Sequence, residues 1–198
     1  MKPWKQVLLI GVLGLGGAVA GLGVAMLAFG PASMLGLPGG EWVVRTLFHP
    51  GALLPDGRSV IVPGKAVPAL PLHDRDGQPY TLAAGGRPLL INYWASWCPP
   101  CVEEMPLLDA FAAQQGPDGV RVVGIALDDA APVQDFLTRH PVAFEIFLEP
   151  SGPNDSSALL GNLRGVLPYS VLIDAQGRLR KTRMGAFHAG DLERWIEN

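Results

Sequence analysis

The stretch RPLLINYWASWCPPCVEEMP, residues 87–106, constrains the fold more than any other part of the chain. Leu89 to Ala95 is apolar at almost every position, as in a strand buried on both faces. It runs without a break into Cys98-Pro99-Pro100-Cys101, the only two cysteines among 198 residues. Helical spacing begins at the cysteines and continues through Leu107, Leu108 and Phe111. A strand therefore feeds a helix that starts at Cys98. Pro99 suits the first helical turn, where its missing N–H costs nothing. A sulfur at that end meets unpaired N–H groups and the helix dipole, both of which favour a thiolate. Cys101 lies one turn on, within disulfide reach.

Other uses of the pair fit less well. A disulfide across so short a loop removes little entropy from the unfolded chain. A structural zinc site needs four ligands, and His49, His73, His140 and His188 are scattered with no ligand spacing. Copper(I) held by the two thiolates stays open as a binding reading, with Met105 the nearest further ligand. A redox pair is the reading that the strand–helix context serves.

From Ala66 onward, strand and helix patterns alternate. VPALPL and DRDGQPYTL read as two short strands around an aspartate–glycine turn. GVRVVGIALD is a second buried strand, APVQDFLTRH a helix, FEIFLE a strand and SSALLGNL a short helix. YSVLIDAQGRLRKTRMG reads as a hairpin turning at Gln176–Gly177, and AGDLERWIE as a closing helix. The expected class is α/β, a mixed central sheet with helices on both faces.

The N-terminal part is different. No charged side chain occurs between Lys5 and Glu41, and Val7 to Phe29 is 23 residues of apolar side chains and glycine. That is enough to cross roughly 30 Å of hydrocarbon as a helix. Lys2 and Lys5 place the N-terminus on the cytoplasmic side. A cleaved signal peptide is the alternative, although its apolar region is usually about 7–15 residues. The expected organisation is a cytoplasmic tail over 1–6, a transmembrane anchor over 7–29, a linker over 30–65 with one short strand at 59–62, and a folded domain over 66–198. A formal charge of -3 argues against a nucleic-acid partner.

NYWASWCPPCVEEMP, together with RGVLPYSVLIDAQGRL and the N-terminal apolar run, resembles the TlpA/ResA/DsbE-like family over roughly residues 66–198. Its members are membrane-anchored, thioredoxin-fold thiol–disulfide oxidoreductases of the bacterial envelope. The resemblance implies a thioredoxin-like fold after one transmembrane helix, a single pass through the inner membrane and a catalytic domain facing the periplasm. It implies no cofactor beyond a redox-active Cys98–Cys101 disulfide, and no metal. Cys98 would be the exposed nucleophile and Cys101 the buried resolving thiol. Pro168 would be cis, with Leu167 the backbone that pairs with substrate and Trp97 packed beside the site. Pro106 falls where such folds have a kinking proline. Thioredoxin's buried acid has no counterpart here, since Asn92 stands in its place. Glu104 is the residue that carries the acid in this group, and it shares a helix row with Cys98 and Cys101.

The implied partners are protein disulfides, among them apocytochrome c and copper-site assembly proteins, and a membrane electron donor. Tyr169 stands where the cytochrome-maturation branch usually has an acid, which speaks against a dedicated cytochrome role. A copper(I) chaperone, a general periplasmic exchange protein and a peroxidase-type redoxin are the alternative functions.

Overall fold

The computed structural model describes residues 52–197. The expected tail, the anchor over 7–29 and the linker as far as residue 51 lie outside the described residues. Among the described residues no helix is long and apolar enough to cross a membrane.

The strands form where the apolar runs predicted them: β1 (Leu70–His73), β2 (Pro79–Leu82), β3 (Leu89–Trp94), β4 (Arg121–Ala126), β5 (Glu145–Leu148), β6 (Tyr169–Ile173) and β7 (Leu179–Met184). The helices are α1 (Pro99–Gln114), α2 (Ala130–Arg139), the single turn α3 (Ser156–Leu159) and α4 (Asp191–Glu197). The strands make one sheet in the order β2-β1-β5-β4-β3-β6-β7. The β3/β4 and β4/β5 pairs are parallel, and β6 and β7 continue antiparallel beyond β3. Every residue of β3 is buried, as a strand covered on both faces must be.

Two aspartate–glycine turns set the hairpins. Asp74 Oδ1 accepts from the N–H groups of Asp76 and Gln78 at 2.9 and 2.8 Å. Asp174 Oδ1 does the same for Gln176 and Arg178 at 3.0 and 2.8 Å. Gly77 and Gly177 close these turns at φ of 77° and 76°, which a residue with a Cβ adopts only with strain.

The helices are not shared evenly between the faces. The buried side chains of α1, α2 and α4 join one core, with Leu90 and Trp94 of β3. Among the described residues the other face carries α3 alone, over a core containing Leu89, Ile91 and Tyr93. The reason is topological. The β3–α1–β4 and β4–α2–β5 crossovers step the same way across the sheet, and right-handed connections then put both helices on one side.

Residues 53–65, expected as linker, pack onto the second face. Leu54 is buried in its core. Pro55-Asp56-Gly57 turns the chain, Leu53 bridges Ser59, and the strand expected at 59–62 is only that isolated bridge. Beyond it Ile61 N–H donates to Leu159 O at 2.8 Å, and Gly64 N–H to Leu179 O at 2.7 Å. The folded unit therefore begins at Leu53, ahead of the expected boundary at 66. Burying one leucine fully stabilises by about 1.5–3 kcal/mol, so this segment holds to the domain through more than its chain connection.

Candidate active site

β3 delivers the chain into α1 through Ala95, Ser96 and Trp97. Cys98 is the residue that caps α1, and Pro99 and Pro100 occupy its first turn. Cys98 N–H donates to Ala95 O, and Cys98 O accepts from both Cys101 and Val102 N–H, each at 3.1 Å. Asp128, just past the end of β4, holds this turn from the side. Its Oδ2 accepts from Ser96 N–H at 2.9 Å and from Ser96 Oγ at 2.6 Å, while Oδ1 accepts from Asp129 N–H at 2.8 Å. Nothing in the pattern of residues pointed to that clamp.

Cys98 and Cys101 are joined, with an S–S distance of 2.05 Å and Cα atoms 5.3 Å apart. Cys101 has no exposure and Cys98 retains 4%. Cys98 is thus buried in the disulfide form, not exposed as expected, because it packs into the same core as the buried side chains of α1; the little exposure the pair keeps is all on Cys98. Pro106 lies inside α1, as its position in the sequence predicted.

Glu104 is 2% exposed, on the same buried row of α1 as Cys101. Its neighbour Glu103 is exposed. Glu104 Oε1 accepts from Asn92 Nδ2 at 2.7 Å, and Oε2 from the backbone N–H of Phe187 at 2.7 Å. Asn92, also buried, gives a second bond to Ser170 Oγ at 3.1 Å. Loss of solvent pushes the Glu104 carboxyl above its ordinary value; the bonds from Phe187 and Asn92 and the nearby charges of Arg183 and His188 pull the other way without cancelling it. Phe187 is positioned in turn by its own ring, which meets Trp195 at 5.3 Å and lies 4.8 Å beneath the Arg183 guanidinium. A carboxyl held this way is a proton acceptor poised nearer neutrality than a surface glutamate.

The Leu167–Pro168 bond is cis, as the resemblance predicted. The loop leading to it is fixed by Asn162, which accepts from Val166 N–H at 2.9 Å and donates to Val166 O at 3.0 Å. This role of Asn162 has no sequence signal. Tyr169 points into the core, where its hydroxyl donates to Leu160 O at 2.9 Å. Trp97 does not pack down beside the cysteines. It is 67% exposed and, with Leu167, lines a cleft of about 500 Å³. Among the described residues no three His, Cys, Asp or Glu side chains gather into a metal-ligating group.

A cysteine pair at a helix end, already joined as a disulfide and with a buried carboxyl on the same helix row, is built for exchange with other thiols and disulfides. Relatives share this chemistry. The chain is 29% identical over 138 residues to sporulation thiol-disulfide oxidoreductase A of Bacillus subtilis, covering 67% of this chain and 81% of that protein. It is 36% identical over 138 residues to the thiol:disulfide interchange protein DsbE of Yersinia pestis, spanning 65% of each. Among solved structures, a thioredoxin-related protein from Neisseria meningitidis serogroup B superposes with a TM-score of 0.57 at 29% identity, over 64% of this chain and 96% of that one. The redoxin family pattern matches residues 62–195. The fold is thus thioredoxin-like and the activity thiol–disulfide exchange, and the chain belongs to the redoxin family, among its TlpA/ResA/DsbE-like thiol–disulfide oxidoreductases.

Proposed function

We propose that the protein works as a reductase of protein disulfides on the outer side of a bacterial inner membrane. The observation that carries this reading is Glu104, a buried carboxyl on the same helix row as Cys101. The Cys98 thiolate attacks one sulfur of a substrate disulfide. The substrate S–S bond breaks, its second sulfur leaves as a thiolate, and a mixed disulfide forms. Glu104 takes the proton from Cys101. The Cys101 thiolate then attacks Cys98 Sγ and releases the substrate's first sulfur as a thiolate. The substrate gains two electrons, the enzyme ends as the Cys98–Cys101 disulfide, and the two thiol protons pass to the released substrate thiols. A dithiol electron carrier in the membrane restores the reduced form.

Backbone at Leu167, ahead of the cis Pro168, offers hydrogen-bonding edges to an extended substrate segment, and Trp97 stands beside it as an apolar contact. The membrane tether is residues 7–29, supported by their length, their lack of charge and the preceding lysines. Disulfides persist on that side of the membrane. The substrates are cysteine pairs awaiting haem or copper, as in apocytochrome c or copper-site assembly proteins. Tyr169, turned into the core, offers a substrate no acid, so the reading is a broader reductase than a dedicated cytochrome enzyme.

The test is a trap. Cys101→Ser in the full-length chain should accumulate mixed disulfides through Cys98, and mass spectrometry should find envelope proteins with C-x-x-C pairs. Trapped species that require Cys101 and survive Cys98→Ser would reverse the roles of the two thiols.

A further inference from the structure

The segment before the family domain builds part of the surface around Trp97, the residue ahead of Cys98. The redoxin match begins at residue 62, but Leu53, Leu54 and Pro55 line the same cleft as Trp97, Leu163 and Leu167. Single exposed apolar residues are ordinary. Here Leu53 at 65%, Trp97 at 67% and Leu163 at 55% are three of the six large apolar side chains exposed among the described residues, and all three converge on one cleft. Such convergence marks a binding surface. The cleft reaches the reactive segment through Trp97 and Leu167, the residues directly before Cys98 and the cis Pro168.

The wall is latched in place. Asp56 N–H donates to Asn154 Oδ1 at 3.2 Å, and Arg58 Nη2 donates to Asn154 O at 2.5 Å. Arg58 is itself held by Asp56, Nε to Oδ2 at 2.6 Å. The turn 53–58 is thereby joined to the loop 151–155, which lines the same cleft. A plain tether would need neither the latch nor an outward-facing leucine at its tip.

Resting on the reductase reading above, we infer that residues 53–58 are a specificity-determining wall, and that the cleft takes a large apolar side chain adjacent to the substrate's cysteine. The occupant is an extended segment of a disulfide-bearing protein. Its cysteine meets Cys98, its backbone lies along Leu167, and its apolar neighbour sits between Leu53, Trp97 and Leu163. Substrates with a small polar residue at that position leave the cleft unfilled.

The experiment uses the pre-reduced full-length chain and two synthetic peptides, each with an internal disulfide. They are identical except for phenylalanine or serine immediately before the first cysteine. Their kcat/KM values are compared, each relative to the same protein's rate on oxidised glutathione. Wild type should prefer the phenylalanine peptide by about 10-fold, the scale on which an apolar pocket discriminates. Leu53→Asp should reduce the preference to about 2-fold, chiefly through KM. Arg58→Ala should give an intermediate value, because the wall loses its latch. Val62→Ser removes an exposed apolar side chain away from the cleft and should leave the preference as in wild type.

Equal use of the two peptides by wild type, or a preference that survives Leu53→Asp in a folded protein, would overturn the inference while glutathione exchange leaves the reductase reading standing. Exchange with none of the three disulfides would sink both. A dimer in sedimentation that Leu53→Asp dissociates, without a peptide preference, would overturn it too and assign the cleft to a second copy of the chain.

Discussion

Replacing Glu104 by glutamine changes one atom of the side chain and removes the proton acceptor. The structural cost follows from its partners. Glu104 accepts two hydrogen bonds, from Asn92 Nδ2 and Phe187 N–H. Glutamine has one acceptor oxygen and one NH₂. If the oxygen keeps Phe187, the NH₂ faces the Asn92 amide, and a buried unpaired donor costs about 1–3 kcal/mol. Rotating the Asn92 amide turns its oxygen toward the substituted side chain, and the Ser170 hydroxyl then accepts no longer from Asn92 Nδ2 but can donate to its oxygen, which lowers that cost. A domain of this size has roughly 5–15 kcal/mol of stability, so the variant stays folded. The chemical cost is separate. Cys101 has no exposure, and ionising a buried thiol without an acceptor is slow. Resolution of the mixed disulfide should slow by about 10–100-fold, within the range of acid–base catalysis. Stopped-flow exchange with a peptide disulfide, from about pH 5 to about pH 9, measures it across the span in which carboxyls and thiols titrate. In wild type the rate should rise with pH as the Glu104 carboxyl, raised by burial, gives up its proton. That limb should vanish in Glu104→Gln. Glu103→Gln, on the exposed side of α1, should match wild type throughout. Equal and small effects of the two substitutions, with the acidic limb intact, would refute the reasoning.

Two further outcomes concern stability. Burial pushes Glu149 up to about 6 from an ordinary 4.5, against the bonds it accepts from Ser156. The folded state therefore holds more protons than the unfolded state between those values, and stability falls as pH rises through that window, by about 2 kcal/mol for this one group. Glu104, also raised, adds to the same slope. Urea unfolding at a series of pH values should show the decline, and Glu149→Gln should flatten it. Asp128→Ala removes three hydrogen bonds, two of which hold Ser96 ahead of the cysteines. Bonds to a charged acceptor are worth about 1.5–3 kcal/mol each in favourable cases, and the variant should lose a similar total in chemical denaturation because the site is partly open to water.

The strands were legible because their apolar runs are short, bounded by turn residues and different from the helical spacing that follows Cys98. The cysteine helix was also legible, as was the row shared by Cys98, Cys101 and Glu104, because residues three apart share a helix face; the cis Pro168 followed from the family resemblance. What holds Glu104 was not. The Phe187 N–H that binds it comes from 83 residues away along the chain, and a backbone donor leaves no mark on side-chain pattern. The division of the helices between the faces depends on the direction in which the crossovers step, and strand periodicity does not carry that. Residues 53–58 read as linker because proline, aspartate and glycine interrupt any period. Their attachment rests on a single buried leucine, Leu54, and on the hydrogen bonds that Asp56 N–H and the Arg58 side chain give to Asn154, nearly a hundred residues on.

At the centre stands the claim that the Cys98–Cys101 pair passes electrons to other disulfides. The direct measurement is equilibration of the full-length protein in glutathione buffers of defined poise, with the dithiol fraction read by alkylation. Two features limit thiolate stabilisation and so favour a reducing pair: no histidine lies between the cysteines, and a buried carboxyl shares the helix row of Cys101. The expected potential is about -200 to -270 mV, toward thioredoxin at about -270 mV. A value near -120 mV, about that of the oxidant DsbA, would contradict the claim and make the protein a donor of disulfides.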